Sequence, residues 1–167
     1  MKHTLLARVA DQPGVLNRVA SLFRRRAFNI DTLTVGASET PGVSRMTIVV
    51  DATRTSARLV AANLGKLVAV EEVKDVTHLP TVARDLALIR VRCAADDRGA
   101  VHALVSGFRA RVADVGADCV IVEAMGTEED LNDLVELLRP RGVLEIVRTG
   151  RVAMLRGGGD ALAAAPE

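Results

Sequence analysis

The stretch Asp11-Gln12-Pro13-Gly14-Val15-Leu16, followed by Asn29-Ile30, decides how the chain folds. Before it runs an alternating segment in which Leu5, Ala7 and Val9 share one side of a half-buried strand. After it, Val15, Leu16, Val19, Leu22 and Phe23 fall at helical spacing. The stretch is therefore the junction between a strand and an amphipathic helix. Pro13 suits a first helical turn, because its missing N–H would have no intrahelical partner there. Gly14 removes a side chain where helix amides are free, so a small anion can approach the backbone. Asp11 and Asn29 place polar groups at the end of one strand and the start of the next, and are expected to converge on that helix N-terminus. Such a place suits a small zwitterion, with its carboxylate on amides and its ammonium on side-chain oxygens. The same residues also suit a plain cap and turn.

Working outward, the spacing predicts a strand over 3–10 and a helix over 13–26, with Arg24, Arg25 and Arg26 in its last turn, where the dipole favours cations. Strands follow over 29–37 and 44–51, separated by the turn Thr40-Pro41-Gly42. A helix over 54–65 and a strand over 68–76 complete the order βαββαβ, the split-βαβ or ferredoxin-like motif. His78-Leu79-Pro80-Thr81 reads as a connector, after which the order begins again. The second copy has strands at 85–93, 112–116, 118–124 and 143–149, and a further one at 152–155. Its helices are expected over 98–111 and from Thr127-x-x-Asp130, a capping-box signal, to Pro140 and Gly142. Ala10-Asp11-x-x-Gly14 is echoed by Ala95-Asp96-x-x-Gly99, with Asp114 at the offset of Asn29 and Arg98 in place of Pro13. The expectation is an α+β chain of two ferredoxin-like βαββαβ domains, over 1–78 and 82–156, with the Gly- and Ala-rich residues 157–167 as a disordered tail. Each half has its own core, so a fragment of residues 1–80 should fold and dimerise alone.

Composition narrows the function. The 167 residues carry 22 Lys and Arg against 21 Asp and Glu, a net charge of +1 that draws in neither nucleic acid nor membrane. No apolar run approaches the roughly 20 residues of a membrane helix. Met1-Lys2-His3-Thr4 leads straight into a strand, unlike a signal peptide, and points to the cytoplasm. Cys93 and Cys119 read as buried reduced thiols. His3, His78 and His102 have no metal-ligand spacing, and there is no GxSxG, P-loop or GxGxxG. Asp96-Asp97 and Glu128-Glu129-Asp130 sit at helix starts, where acids cap. Neither a catalytic residue nor a metal site is expected in this chain. The strands that would stack bases in an RNA-binding module, 3–10 and 44–51, carry no aromatic residue. Arg24-Arg25-Arg26 reads as a solvated helix end.

The pattern Asp11-x-Pro13-Gly14-Val15-Leu16-x-Arg18-Val19-x-x-Leu22-Phe23-x-x-Arg26-x-x-Asn29-Ile30-x-x-Leu33-x-Val35 resembles an ACT domain, a small module that binds amino acids. With Ser44-Arg45-Met46-Thr47-Ile48 it resembles the regulatory small subunits of acetohydroxyacid synthase, also called acetolactate synthase. The resemblance covers nearly the whole chain and is strongest over 4–50. It implies a non-catalytic subunit that binds the large catalytic subunit, raises its activity, and confers feedback inhibition by valine or another branched-chain amino acid in the biosynthesis of valine and isoleucine. It implies no cofactor in this chain, since thiamine diphosphate, FAD and Mg²⁺ belong to the large subunit. It implies a homodimer formed through ACT domains, with the ligand at their interface. The family's ligand positions map to Asp11, Gly14, Asn29 and Gly36; some relatives have Asn at the first and Ala at the last. The amides of Gly14, Val15 and Leu16 would take the carboxylate, Asp11 and the Asn29 amide of a neighbouring subunit would orient the ligand, and Val15, Ile30 or Leu33 would touch its side chain. Two other readings are a free-standing amino-acid sensor and an oligomerisation module with a different partner. A sensor acting on transcription would need a helix-turn-helix or basic domain, and neither is visible.

Overall fold

The computed structural model describes residues 1–53 and 56–157. Alternation in the N-terminal run produces strand β1 (Lys2–Ala10), whose Leu5, Ala7 and Val9 enter a core with Val15, Val19, Leu22 and Phe23 of helix α1 (Val15–Arg25). Strands β2 (Asn29–Ala37) and β3 (Val43–Asp51), helix α2 (Ala57–Leu64) and strand β4 (Val70–Asp75) follow. The sheet order is β2-β3-β1-β4, antiparallel between neighbours. This is the expected βαββαβ unit. It repeats as β5 (Thr81–Arg92), α3 (Arg98–Ser106), β6 (Ala110–Val115), β7 (Cys119–Gly126), α4 (Glu128–Leu138) and β8 (Val143–Arg148), with sheet order β6-β7-β5-β8. Ile89, Val91, Val122, Leu131, Leu134 and Leu138 are among the residues of its separate core. The capping box at the start of α4 is formed in both directions between Thr127 and Asp130.

Two helices differ from the sequence expectation, each for a local reason. Helix α1 starts at Val15, because Gly14 is left-handed (φ 85°, ψ −6°). The Val15 N–H donates to the Gln12 carbonyl (3.3 Å), so Gln12–Val15 is a type II turn with Pro13 second and Gly14 third. Pro13 thus shapes the turn before the helix and lies outside the first helical turn. At the other end, Ala27 adopts φ 53°, the Phe28 N–H reaches the Phe23 carbonyl (2.9 Å), and the two phenyl rings meet edge to face at 5.9 Å. That is a Schellman stop with its apolar clasp, achieved without glycine. Helix α3 ends at Ser106 and does not continue to 111, because Gly107 and a left-handed Arg109 (φ 52°) turn the chain into β6. Phe108 continues the helical stripe in sequence, which hides the stop. The expected start of the second helix at 54 lies outside the described residues, where residues 54 and 55 fall; α2 itself is capped by the Ser56 hydroxyl, which accepts from the Leu59 N–H.

The chain divides into one unit of Met1–Val82 with Arg151–Gly157 and another of Ala83–Gly150. The last strand, β9 (Val152–Leu155), pairs with β5 of the second sheet, as the sequence boundaries have it, and also packs with the first unit. Hydrogen bonds explain this. Arg45 of β3 donates to the Ala153 carbonyl (3.1 Å), Arg151 to the Thr4 hydroxyl (3.0 Å), and the Arg156 N–H to the Pro80 carbonyl (2.8 Å). Thr4 and Arg45 lie on the side of the first sheet away from its helices. Leu6 and Val49 on that side are 0% and 2% exposed. Of the expected tail, residues 158–167 lie outside the described residues.

The returning strand makes the first unit discontinuous in sequence, and a fragment of residues 1–80 would lack it. Such a fragment should bind a hydrophobic dye and melt below the full chain. In the full chain, Ala153→Asp puts a carboxylate at a site only 8% exposed and should cost about 1–3 kcal/mol of stability in denaturant titration. A fragment that melts with the full chain and binds no dye would show that β9 covers nothing the first unit needs.

Candidate functional site

The site is built on the loop after β1. The Asp11 N–H donates to the Gly42 carbonyl (2.8 Å), which ties the loop to the β2–β3 hairpin. The loop residues 11–14 are exposed, and so is Leu16. Helix α1 has no side-chain cap and no acid in its first turn. Its first amides therefore point at open space with the positive end of the helix dipole behind them, the arrangement that receives a carboxylate. A Cβ added at Gly14 or at Gly36 would meet nothing within 4 Å, so the space beside both is empty of protein. The Val15 side chain is 4% exposed and belongs to the core, which removes it from the residues that could touch a ligand's side chain, and its amide already donates to the Gln12 carbonyl.

Strand register decides which candidates come together. Gly36 pairs with Arg45, which pairs with Arg8 near the end of β1. Asn29 pairs with Asp51, which pairs with Lys2 at the start of β1. Asp11, Gly14, Leu16 and Gly36 thus lie at one end of the sheet, and Asn29 and Ile30 at the other. At the usual rise per residue the two ends are about 23 Å apart. The expected convergence of Asn29 on the helix N-terminus does not occur within one chain. The cause is topological: β2 runs parallel to β1, so its first residue lies beside the first residues of β1. Asn29 is exposed and makes a long contact with Asp31 (3.4 Å), and Ile30 is half-buried against the core.

One residue near this end was not anticipated. Arg8 is 1% exposed, on the sheet side away from the helices. Its guanidinium hydrogen-bonds the Glu39 carboxylate and donates to the Thr40 hydroxyl (2.9 Å), bracing the hairpin that follows Gly36. Its Nε has no hydrogen-bond partner and lies 3.8 Å from a Glu71 carboxylate oxygen. The hydrogen bond from Arg8 is the main reason the Glu39 carboxyl is held below its usual range. Alternation with Leu5, Ala7 and Val9 made Arg8 read as solvent-facing. Apolar Leu6 on the same face was the available signal.

The second unit does not repeat the site. Gly99 sits inside α3 with no left-handed turn, a short 3₁₀ turn (Ala95–Asp97) precedes the helix, and Arg98 donates to the Gly116 carbonyl (2.8 Å). Asp114 lies at an irregularity in the pairing of β6 with β7. Cys93 is buried and Cys119 half-buried, both as free thiols. Among the described residues there is no group of three or more His, Cys, Asp or Glu that could hold a metal ion, and no helix long and apolar enough to cross a membrane.

Comparison with known proteins agrees with this architecture. Residues 5–72 match the family model of the AHAS small subunit-like ACT domain, and residues 84–157 match that of the small subunit of acetolactate synthase. A probable acetolactate synthase small subunit of Archaeoglobus fulgidus is 45% identical over 94% of this chain and 98% of its own. The acetolactate synthase small subunit of Mycolicibacterium smegmatis is 44% identical over 93% and 91%. The crystal structure of the small subunit from Thermotoga maritima superposes with a TM-score of 0.86 at 38% identity, covering 95% of this chain and 99% of that one. Two ferredoxin-like units, the first an ACT domain with an open helix N-terminus after β1, and these likenesses over almost the full length establish that the chain belongs to the acetolactate synthase small-subunit family.

Proposed function

We propose that this chain is the regulatory subunit of an acetolactate synthase. It performs no chemistry itself, binds the large catalytic subunit, raises that subunit's activity, and makes it responsive to a branched-chain amino acid, valine foremost. Thiamine diphosphate, FAD and Mg²⁺ would reside in the large subunit. The observation that carries the reading is the uncapped start of α1 at left-handed Gly14, beside open space at Gly36.

The ligand site is shared between two copies. Strand β2 is an edge of its sheet, free to pair with another β2. Antiparallel pairing about a two-fold axis near Leu33 sets Asn29 of the partner subunit beside Ala37, and so next to Gly36 and the start of α1. The amides of Gly14 and Leu16 then take the carboxylate, the Val15 N–H being held by the Gln12 carbonyl. Asp11 and Asn29 of the partner subunit orient the ammonium group, with Leu16 and Ile30 of the partner subunit against the apolar side chain. A site built from two chains links ligand binding to subunit arrangement, and a coupling of about 1–3 kcal/mol is enough for useful inhibition.

Reconstitution tests the function: the purified large subunit should gain activity when this chain is added and lose it again with valine. No change in activity on adding the chain would refute the regulatory role.

Two substitutions test the site. Gly14→Asp and Gly14→Asn share the strain of a left-handed position, which both residues tolerate better than most, and differ in charge. The aspartate should weaken valine binding at least tenfold more than the asparagine, about 1.4 kcal/mol by calorimetry. Equal effects would mean that no carboxylate binds there. Mixed dimers test the sharing. Gly14→Asp chains and Asn29→Ala chains, each defective alone, should regain one of two valine sites in every isolated mixed dimer, since that site is wholly unaltered. Mixed dimers with no valine binding would put both residues of each site on one chain.

A further inference from the structure

Charge is unevenly spread over the first unit. The chain carries no Asp or Glu from residue 12 to residue 30, nor from residue 52 to residue 70. These spans contain α1 and α2, the helical layer on one side of the first sheet. Within them Arg18, Arg24, Arg25, Arg26, Arg58 and Lys66 are exposed, and none of the six takes part in an ion pair among the described residues. Helix α4 of the second unit is the opposite case, with Glu128, Glu129, Asp130, Asp133 and Glu136, and Glu136 has its own cation in Arg139 (2.7 Å). The near-zero net charge of the whole chain hides this local excess.

Helix chemistry accounts for only part of it. Arg24, Arg25 and Arg26 end α1, where the dipole favours cations. Arg18 and Arg58 stand in the first turns of α1 and α2, where it disfavours them, and neither first turn holds an acid to compensate. Apart from Leu16, assigned above to the ligand site, the layer exposes Leu59 (51%), and Val68 (101%) is exposed on the connection that leaves α2. Arginine with large apolar groups, and without acids, is the composition of a protein-binding surface. Nucleic acid fits less well. No aromatic ring is available for stacking, since Phe23 is 2% exposed and Phe28 is packed against the core, and exposed leucines gain nothing from phosphates.

We propose that the α1–α2 layer is the docking face for an acidic protein surface, and that this surface belongs to the catalytic subunit. The proposal rests on the regulatory-subunit reading above. The layer lies across the sheet from the β9 strand and does not use the edge of β2, so it stays available when two copies pair through that edge.

The test uses the full chain and the purified large subunit, with association followed by a fluorescence titration. Arg58 and Lys66 are the positions to change, because they belong to α2 and its exit, apart from Gly14 and Asn29. The double reversal Arg58→Glu with Lys66→Glu should raise the Kd for the large subunit about tenfold or more. The charge-preserving pair Arg58→Lys with Lys66→Arg should stay within about twofold of the unaltered chain. Association of the unaltered chain should weaken between roughly 50 and 300 mM salt. Valine binding and the melting temperature should be the same in all three proteins; Arg58→Glu also removes a cation from a helix start, so misfolding is not the expected consequence. An unchanged Kd for the reversed variant would overturn the proposal. So would an equal loss in the charge-preserving variant, a reversal that instead breaks the pairing of the chain with itself, or salt-sensitive binding of a 20-nucleotide RNA that the reversal abolishes. If the unaltered chain fails to bind the large subunit at any salt, the regulatory-subunit reading falls, and this inference with it.

Discussion

Strand β3 is antiparallel to both its neighbours, so β1 and β2 run in the same direction. This constraint governs everything proposed for the first unit. It sets Gly36 level with Arg8 across β3, at the end of the sheet where α1 starts, and it carries Asn29 to the far end. A slip of one residue would turn the apolar faces of the strands inside out, so Leu5, Ala7, Val9, Met46, Ile48 and Val50 in the core hold the register firmly. Because the register cannot adjust, Asn29 cannot reach Gly14 of its own chain. A site that uses both needs a second copy, and the free edge of β2 is where a second copy can pair. The separation of the two half-sites is thus a direct consequence of the fold, and it makes assembly a condition of the proposed ligand binding.

The end of the sheet that carries Gly14 is braced from two sides. On one side the backbone of Asp11 holds Gly42 of the hairpin, and the type II turn fixes where α1 begins. On the other, Arg8 holds Glu39 and Thr40 of the same hairpin. A buried guanidinium with an unsatisfied Nε is a costly way to secure a turn. An apolar residue there would fill the space with less desolvation, but it would remove the side-chain tie to Glu39 and Thr40 and leave the hairpin tip held by backbone bonds alone. The gain from Arg8 is geometric: the hairpin that leads out of Gly36 is fixed relative to the loop that presents the helix amides.

The elements carried by strong periodicity were legible in the sequence, and so was the repeated βαββαβ order. Residues whose meaning depends on partners distant in sequence were not. Val15 fits both a core stripe and a helix start, and only packing assigns its side chain to the core. Arg8 looks solvated in an alternating strand until the other side of the sheet is known to be covered. Strand β9 alternates like any other, and nothing in residues 152–155 says that they return to Thr4, Arg45 and Pro80. Helix α3 appeared longer because Phe108 extends its stripe past the glycine that ends it. Residue types alone suggest that Asp11, Gly14 and Asn29 converge, and only the family resemblance places Asn29 on a neighbouring subunit; strand direction, which motif spacing does not record, is what separates Asn29 from the other two within one chain.

The two units show how one topology supports different uses. In both, an Ala-Asp-x-x-Gly sequence spans the entry from the first strand into a helix. In the first unit the glycine is left-handed in the turn, and no acid stands within the helix's first turn. In the second, the glycine is helical and the exposed carboxylates of Asp96 and Asp97 stand directly before the helix. Those carboxylates already complement the dipole and would repel an anionic ligand. The same asymmetry extends to the later helices, acid-free in α2 and acid-rich in α4. Backbone geometry is shared by the two halves. A few carboxylates at helix starts distinguish the two: the first unit has none there, as the proposed amino-acid site and docking face require, and the second has them.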